Sequence, residues 1–142
     1  MADNYVQFSQ VLSPVNRRQA AWARRLLGPG GSQHLSAAGI RIDPDEAEDW
    51  PQFQWQLEGR ELWIYSQEGG SPQHVGQFVR AFLRRFRPGD CWQMTWSETC
   101  SRPRVGEFGG GGVLVTARSA RFFHAHQWVE RQTAAFARRR PG

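Results

Sequence analysis

Lysine is absent: all eighteen basic side chains of this 142-residue chain are arginines. No ammonium group is on hand to hold a nucleotide in the manner of a glycine-rich phosphate loop. Every cationic site is instead a planar guanidinium fork, suited to phosphate, carboxylate or aromatic faces. Cysteine is scarce too, with only Cys91 and Cys100. Two residues make no disulfide framework, and the expectation is a pair of reduced thiols. Also missing is any apolar run near the roughly 18–20 residues that span a bilayer, so no membrane association is expected. The opening MADNYVQFSQ lacks the charged start and apolar stretch of a secretory leader. These absences predict a soluble, cytoplasmic protein.

Acidic residues are outnumbered thirteen to eighteen, giving a net charge of +5 and a pI near 10.5. That balance favours an anionic partner, either nucleic acid or an acidic protein surface, and is met equally by a solvated arginine-rich exterior. Aromatics are plentiful, with seven Trp and nine Phe, so a few large side chains can supply the core. The length suits one domain, 1–142, with an N-terminal helix region at about 13–28 and a sheet-helix core at about 50–139.

Local signals place several elements. Ser13-Pro14 reads as a cap and first helical position, followed by an apolar stripe of Val15, Trp22, Ala23, Leu26 and Leu27. Asp43 to Asp49 is acidic but lacks the Gly and Glu of a calcium loop. A short helix capped by Asp43 accounts for it better. Phe53, Trp55 and Leu57 alternate with glutamines, and Glu61–Ser66 returns as a partner strand. Ser71-Pro72 then opens a helix carrying Val75, Phe78, Val79, Phe82, Leu83 and Phe86. Trp92, Met94 and Trp96 share one face of a third strand, and GVLVT at 112–116 forms a fourth. The tail from about Ser119 to Arg139 reads as helix, broken near His124–His126, with Phe122, Phe123, Trp128, Val129 and Phe136 apolar. The expected architecture is α+β: a four-stranded, mainly antiparallel sheet with helices packed on one face, in helix-hairpin-helix-hairpin-helix order.

Chemistry concentrates between Cys91 and Thr116, where a polar loop holds Glu98, Cys100, Arg102, Arg104 and Glu107 before four glycines. Those glycines precede a strand rather than a helix, which argues against a phosphate cradle. Cys100 does not fit the tyrosine-phosphatase spacing, because Gly106 stands where an arginine is needed. Glu98 and Glu107 could act as an acid–base pair, but pairing with Arg102 and Arg104 is the simpler expectation. His124 and His126 would share a face only on a strand, and neither a metal site nor a cofactor is expected. Trp22, Trp55, Trp92, Trp96 and Trp128 are assigned to the core. Trp63 and Tyr65 alternate with Leu62 and Ile64, leaving one hairpin face to be covered or offered to a partner.

The segments LWIYSQEGG, FLRRFRPGDCW and TWSETCSRPRVGEFGGG resemble a family of small uncharacterised bacterial proteins, some carried on phages and plasmids. Its core reads W-I-Y-S…F-R-P…T-C-S-x-P-R-x-x-x-F-G-G-G, and the resemblance runs from about Trp50 to Phe136. It implies no catalytic residue. It implies a setting on mobile DNA, with host machinery, including an antiviral defence complex or its nucleic acid, as the partner. The leading expectation is a non-catalytic protein that engages a host protein or ribonucleoprotein. Its binding residues would be Arg102, Arg104, Glu98, Glu107, Trp63, Tyr65, Arg80 and Arg84, with the 97–111 loop at the centre. A second reading is direct nucleic-acid binding through Arg17, Arg18, Arg80, Arg84, Arg138, Arg139 and Arg140. A third is a small enzyme using Cys100, Glu98 or Glu107. A homodimer across an uncovered sheet face also stays open.

Overall fold

The computed structural model describes residues 2–139. Its elements run β1 (Asn4–Leu12), α1 (Arg17–Leu27), a 3-10 turn (Gly31–His34), α2 (Pro44–Ala47), β2 (Gln54–Glu58), β3 (Glu61–Ser66), α3 (Pro72–Phe86), β4 (Cys91–Cys100), β5 (Gly109–Thr116), β6 (Ala120–His124) and α4 (Ala125–Arg139). The strands form one six-stranded sheet in the order β2-β3-β1-β4-β5-β6, and every strand pairing is antiparallel. The α+β class stands. The four-stranded sheet and the helix-hairpin-helix-hairpin-helix order do not.

Both missing strands have a physical explanation. β1 lies at the centre of the sheet, pairing with β3 through Phe8–Leu12 and with β4 through Asn4–Gln7. It alternates, with Val6, Phe8 and Leu12 on one face and Tyr5, Gln7 and Ser9 on the other. Only Phe8 and Leu12 are fully buried, so the period-two signal is diluted by glutamine and serine. It joins two hairpins that would otherwise each present an unpaired inner edge. β6 was expected to begin the tail helix. Phe122 and Ala120 instead face Gly76 of α3, while Phe123 and Arg121 point to the opposite face. The expected break near His124–His126 does separate two elements, but the first is a strand.

α1 starts later than Ser13-Pro14 suggested. Asn16 is the cap: its Oδ1 accepts from Gln19 N, and Gln19 Oε1 accepts from Asn16 N, both at 2.9 Å. This reciprocal box satisfies two of the amides that a helix start leaves unpaired. Ser13 and Pro14 are lead-in residues. At the other end, the Trp50 indole donates to Leu26 O at 2.8 Å in a buried setting, satisfying one of the last helical carbonyls. α2 and α3 begin where expected, capped by Asp43 and Ser71.

One apolar core lies between the sheet and the helices α1 and α3. Leu62, Ile64, Trp92, Met94, Trp96, Val113 and Val115 rise from the strands to meet Ala23, Leu26, Val75, Phe78, Val79 and Phe82. Trp22 ties the two helices together, its ring 5.7, 6.0 and 5.5 Å from those of Phe78, Phe82 and Phe86. These arrangements are edge-on or tilted, as aromatic clusters prefer. β5 is longer than expected and starts at Gly109, so the glycines belong to the sheet and the connecting loop is only Ser101–Phe108.

Among the described residues, His74 is the one titratable side chain buried in this core. Its Nδ1 accepts from Gln52 N at 3.1 Å, and its Nε2 lies 3.5 Å from the exposed carboxylate of Glu46, a gap too long for a well-formed bond. Burial lowers its pKa below the ordinary 6.5, with Glu46 opposing and not prevailing. The folded protein therefore refuses a proton that the unfolded chain accepts. Stability should be level in this group above about pH 6.5 and fall as the pH drops through 6.5 toward the lower folded pKa. Thermal midpoints measured between pH 8 and 5 should show this decline, and His74→Asn, which keeps an acceptor near Gln52 N, should show a shallower one. Equal slopes for the two proteins would refute it.

Candidate recognition site

The helices α1 and α3 cover one face of the sheet, and among the described residues the opposite face carries no helix across β2, β3, β1 and β4. The outward positions there include Gln54, Gln56 and Glu58 on β2, Glu61, Trp63 and Tyr65 on β3, Tyr5, Gln7, Ser9 and Val11 on β1, and Gln93, Thr95 and Ser97 on β4. Across β5 and β6 the same face shows Leu114, Arg121 and Phe123. Charge is confined to Glu58 and Glu61 at one end and Arg121 near the other. The surface between them is mainly amide, hydroxyl and aromatic, with Val11 beside Trp63 and Leu114 on β5 as aliphatic positions.

Trp63 and Tyr65 lie two residues apart on β3, and the strand pleat puts both on this open face. Their rings stack at 3.9 Å between centroids with 23° between planes. Each polar tip is tied down: Trp63 Nε1 donates to Ser9 Oγ at 2.8 Å, and Tyr65 OH accepts from Gln56 at 3.0 Å. The pair is thus held rigid by its neighbours while Trp63 remains 36 % exposed. An aromatic face fixed before binding loses little rotamer entropy when a partner covers it.

A second apolar area lies where the sheet meets α4. Leu114, Phe123 and Trp128 are all exposed, with the Phe123 and Trp128 rings 6.5 Å apart. Trp128, expected in the core, is instead 47 % exposed. Trp92 and Trp96 are buried as expected, and Trp22 and Trp55 are half-buried against the core. α4 buries none of its fifteen residues, so Val129 and Phe136 remain open to solvent. The apolar spacing had pointed to a helix there, and nothing in that spacing could show whether the stripe would be covered.

The Ser101–Phe108 loop stands at the end of β4 and β5. Arg102 and Arg104 are exposed and, among the described residues, pair with no carboxylate. The expected ion pairs with Glu98 and Glu107 are therefore not formed. Glu98 Oε2 instead accepts from the Trp96 indole at 3.2 Å. The loop is anchored to the N-terminal strand through Ser101, which exchanges bonds of 2.8 Å with Asp3 in both directions. Thr99 pairs with Tyr5, and Tyr65 pairs with Ser9 four residues further along β1. Ser101, the first loop residue, bonds to Asp3, six residues before Ser9, so at ~3.3 Å per residue the loop starts about 20 Å along the strand from Tyr65, a span that one macromolecular partner can cover.

The remaining expected site residues fall elsewhere. Arg80 and Arg84 belong to α3 and so lie on the helix side of the sheet, away from Trp63 and Tyr65. Arg17 and Arg18 open α1, Arg138 and Arg139 close α4, and Arg140 lies outside the described residues. The binding set is thus split across two faces. Cys91 and Cys100 are free thiols. Cys100 takes part in no side-chain hydrogen bond among the described residues, and none of the three clefts described here includes Cys100, Glu98 or Glu107. His126 sits against Gly109 and contacts Phe108 O, while His124 faces Trp96. No group of three or more His, Cys, Asp or Glu among the described residues could hold a metal ion, and no described helix is long and apolar enough to cross a membrane.

Two clefts on the helix side have no local signal in the sequence. One lies between α1, α3 and the segment after the 3-10 turn, with a volume of about 460 Å³. The other, about 910 Å³, lies between the start of α1 and the β2–β3 turn. The arginines lining them are legible in the sequence, but their convergence depends on how α1 and α3 pack. No protein-family model, curated protein or solved structure matches this chain.

Proposed function

We propose that this is a non-catalytic binding protein that engages a protein or ribonucleoprotein partner through the open face of its sheet and the Ser101–Phe108 loop. The observation that carries the reading is the Trp63–Tyr65 stack, locked by Ser9 and Gln56 on a face that no helix covers. Aromatic residues dominate the energetics of protein interfaces, and charged residues are depleted at their centres. This face has that composition, and a phosphate backbone laid across it would meet one arginine on six strands. Arg102 and Arg104 supply unpaired forks at the margin, where charge steers association more than it adds affinity. A host complex as the partner is consistent with the resemblance to proteins carried on mobile DNA.

The test is purification from the native host with the wild-type protein and with Trp63→Ala/Tyr65→Ala, followed by affinity measurement with the recovered partner. Removing both rings should weaken binding by about 2 kcal/mol or more, roughly thirty-fold, with the thermal midpoint little changed. Arg102→Ala/Arg104→Ala should slow association and reduce its salt dependence. Unaltered affinity in the aromatic variant would remove the sheet face from the interface.

A further inference from the structure

The arginines of the helix layer converge in a way that the sheet face does not explain. Arg25 of α1 and Arg84 and Arg85 of α3 line the smaller cleft, together with His34 and Trp22. Arg17, Arg18 and Arg24 of α1 line the larger one, joined by Arg60 from the β2–β3 turn. No carboxylate lines either cleft. Among the described residues, the only arginine paired with a carboxylate is Arg87, with Asp90. Seven guanidinium groups thus flank a single eleven-residue helix with their charge uncompensated. Grouping like charges in this way disfavours the folded state unless an anion shares the site.

The spacing favours an extended anion over a compact one. Arg17 and Arg24 are seven residues apart on α1, as are Arg18 and Arg25, so each pair is separated by about 10 Å along the axis. The two clefts lie on opposite flanks of that helix, and an anion small enough to fill one leaves the other unneutralised. A flexible polyanion crossing α1 reaches both. Trp22 adds a half-buried aromatic wall to the smaller cleft, of the kind on which bases stack in single-strand binding sites. Concave sites on both sides of a ridge suit a strand that can bend, whereas a stiff duplex bridges across them.

We infer that the α1 ridge and its two flanking clefts bind the phosphodiester backbone of a single-stranded nucleic acid. This site is separate from the sheet-face surface and does not depend on it. The seven arginines are Arg17, Arg18, Arg24, Arg25, Arg60, Arg84 and Arg85. Single-stranded RNA and DNA share the recognised chemistry, and the experiment distinguishes them.

The test is fluorescence anisotropy with labelled 20-residue oligouridylate, oligothymidylate and a 20-base-pair duplex, at 50 and 200 mM salt. If about five phosphates are neutralised, the slope of log affinity against log salt should be near −3.5, a loss of about a hundred-fold over that range. Arg17→Ala/Arg24→Ala and Arg84→Ala/Arg85→Ala remove exposed side chains, so both should fold, as an unchanged thermal midpoint will show. Each should weaken binding about ten-fold and flatten the slope by roughly one unit. Arg138→Ala/Arg139→Ala should change affinity less than two-fold. The inference is overturned if no oligonucleotide binds at 50 mM salt, or if the duplex binds as tightly as the single strands. It is overturned equally if polyglutamate or adenosine monophosphate competes on equal terms, or if the α4 variant loses as much affinity as the cleft variants. Its failure leaves the sheet-face reading intact, because neither cleft pair touches Trp63 or Tyr65.

Discussion

Phe82→Ala is expected to destabilise the protein by about 3–5 kcal/mol, the usual cost of removing a fully buried phenyl ring. Phe82 is wholly inaccessible, its ring 6.0 Å from Trp22 and 5.2 Å from Phe86, with the Arg87 guanidinium 5.1 Å above it. Two helices and a cation therefore meet on one side chain. The space left by truncation cannot close without moving α1 relative to α3, so part of the cost is a cavity that persists. Against a total stability of about 5–15 kcal/mol, the loss is a large fraction of what holds the fold. The thermal midpoint should fall on the order of 10 °C, and Phe82→Leu should recover more than half of that. A drop of only a degree or two would mean that the α1–α3 junction is looser than described. Because both basic clefts border α1, this variant should also weaken oligonucleotide binding more than partner binding at the sheet.

The second large effect is expected at Gly111, by contrast with its neighbour Gly112. A β-carbon at Gly111 would collide with the backbone carbonyl of Phe123 and lie 2.7 Å from the Trp96 ring. The carbonyl belongs to the adjacent strand, so relief requires β6 to separate from β5, and the Trp96 ring is packed in the core. Gly111→Ala should cost about 3 kcal/mol, at the upper end of the usual overpacking range. Amide exchange should rise first in Ala120–His124, since β6 has no strand beyond it. A β-carbon at Gly112 meets nothing closer than Met94 O at 3.4 Å, so Gly112→Ala should be neutral within about 0.5 kcal/mol. Equal destabilisation by the two substitutions would contradict the register of β4, β5 and β6. The same clash explains why a run of glycines occupies a strand rather than a loop: Trp96 needs a partner without a side chain opposite it.

Much of the local structure could be read directly from the residues. α3 was legible because Val75, Phe78, Val79, Phe82 and Phe86 repeat at helical spacing behind a Ser-Pro start. The β2–β3 hairpin was legible because Trp55 and Leu57 alternate with glutamines before Gly59. β1 was not. Its inward positions include Gln10, and its importance comes from partners fifty or more residues away in sequence. β6 reads as helix from its residues alone because RFFHAHQWV contains apolar residues at both spacings, and only the available space beside Gly76 selects the strand.

The order of side chains along the chain determined which faces could be apolar, where two of the helices begin, and that every cation would be a guanidinium. Those outcomes follow from neighbours within a few residues, whose geometry is set by the backbone period and by hydrogen bonds at the caps. Tertiary packing decided the rest: that Trp63 and Tyr65 stand on an uncovered face, that Trp128 stays exposed, and that arginines from α1, α3 and the β2–β3 turn gather around one helix. Such groupings depend on contacts between segments distant in sequence. No local periodicity encodes them, because each segment would carry the same pattern whichever neighbour it met.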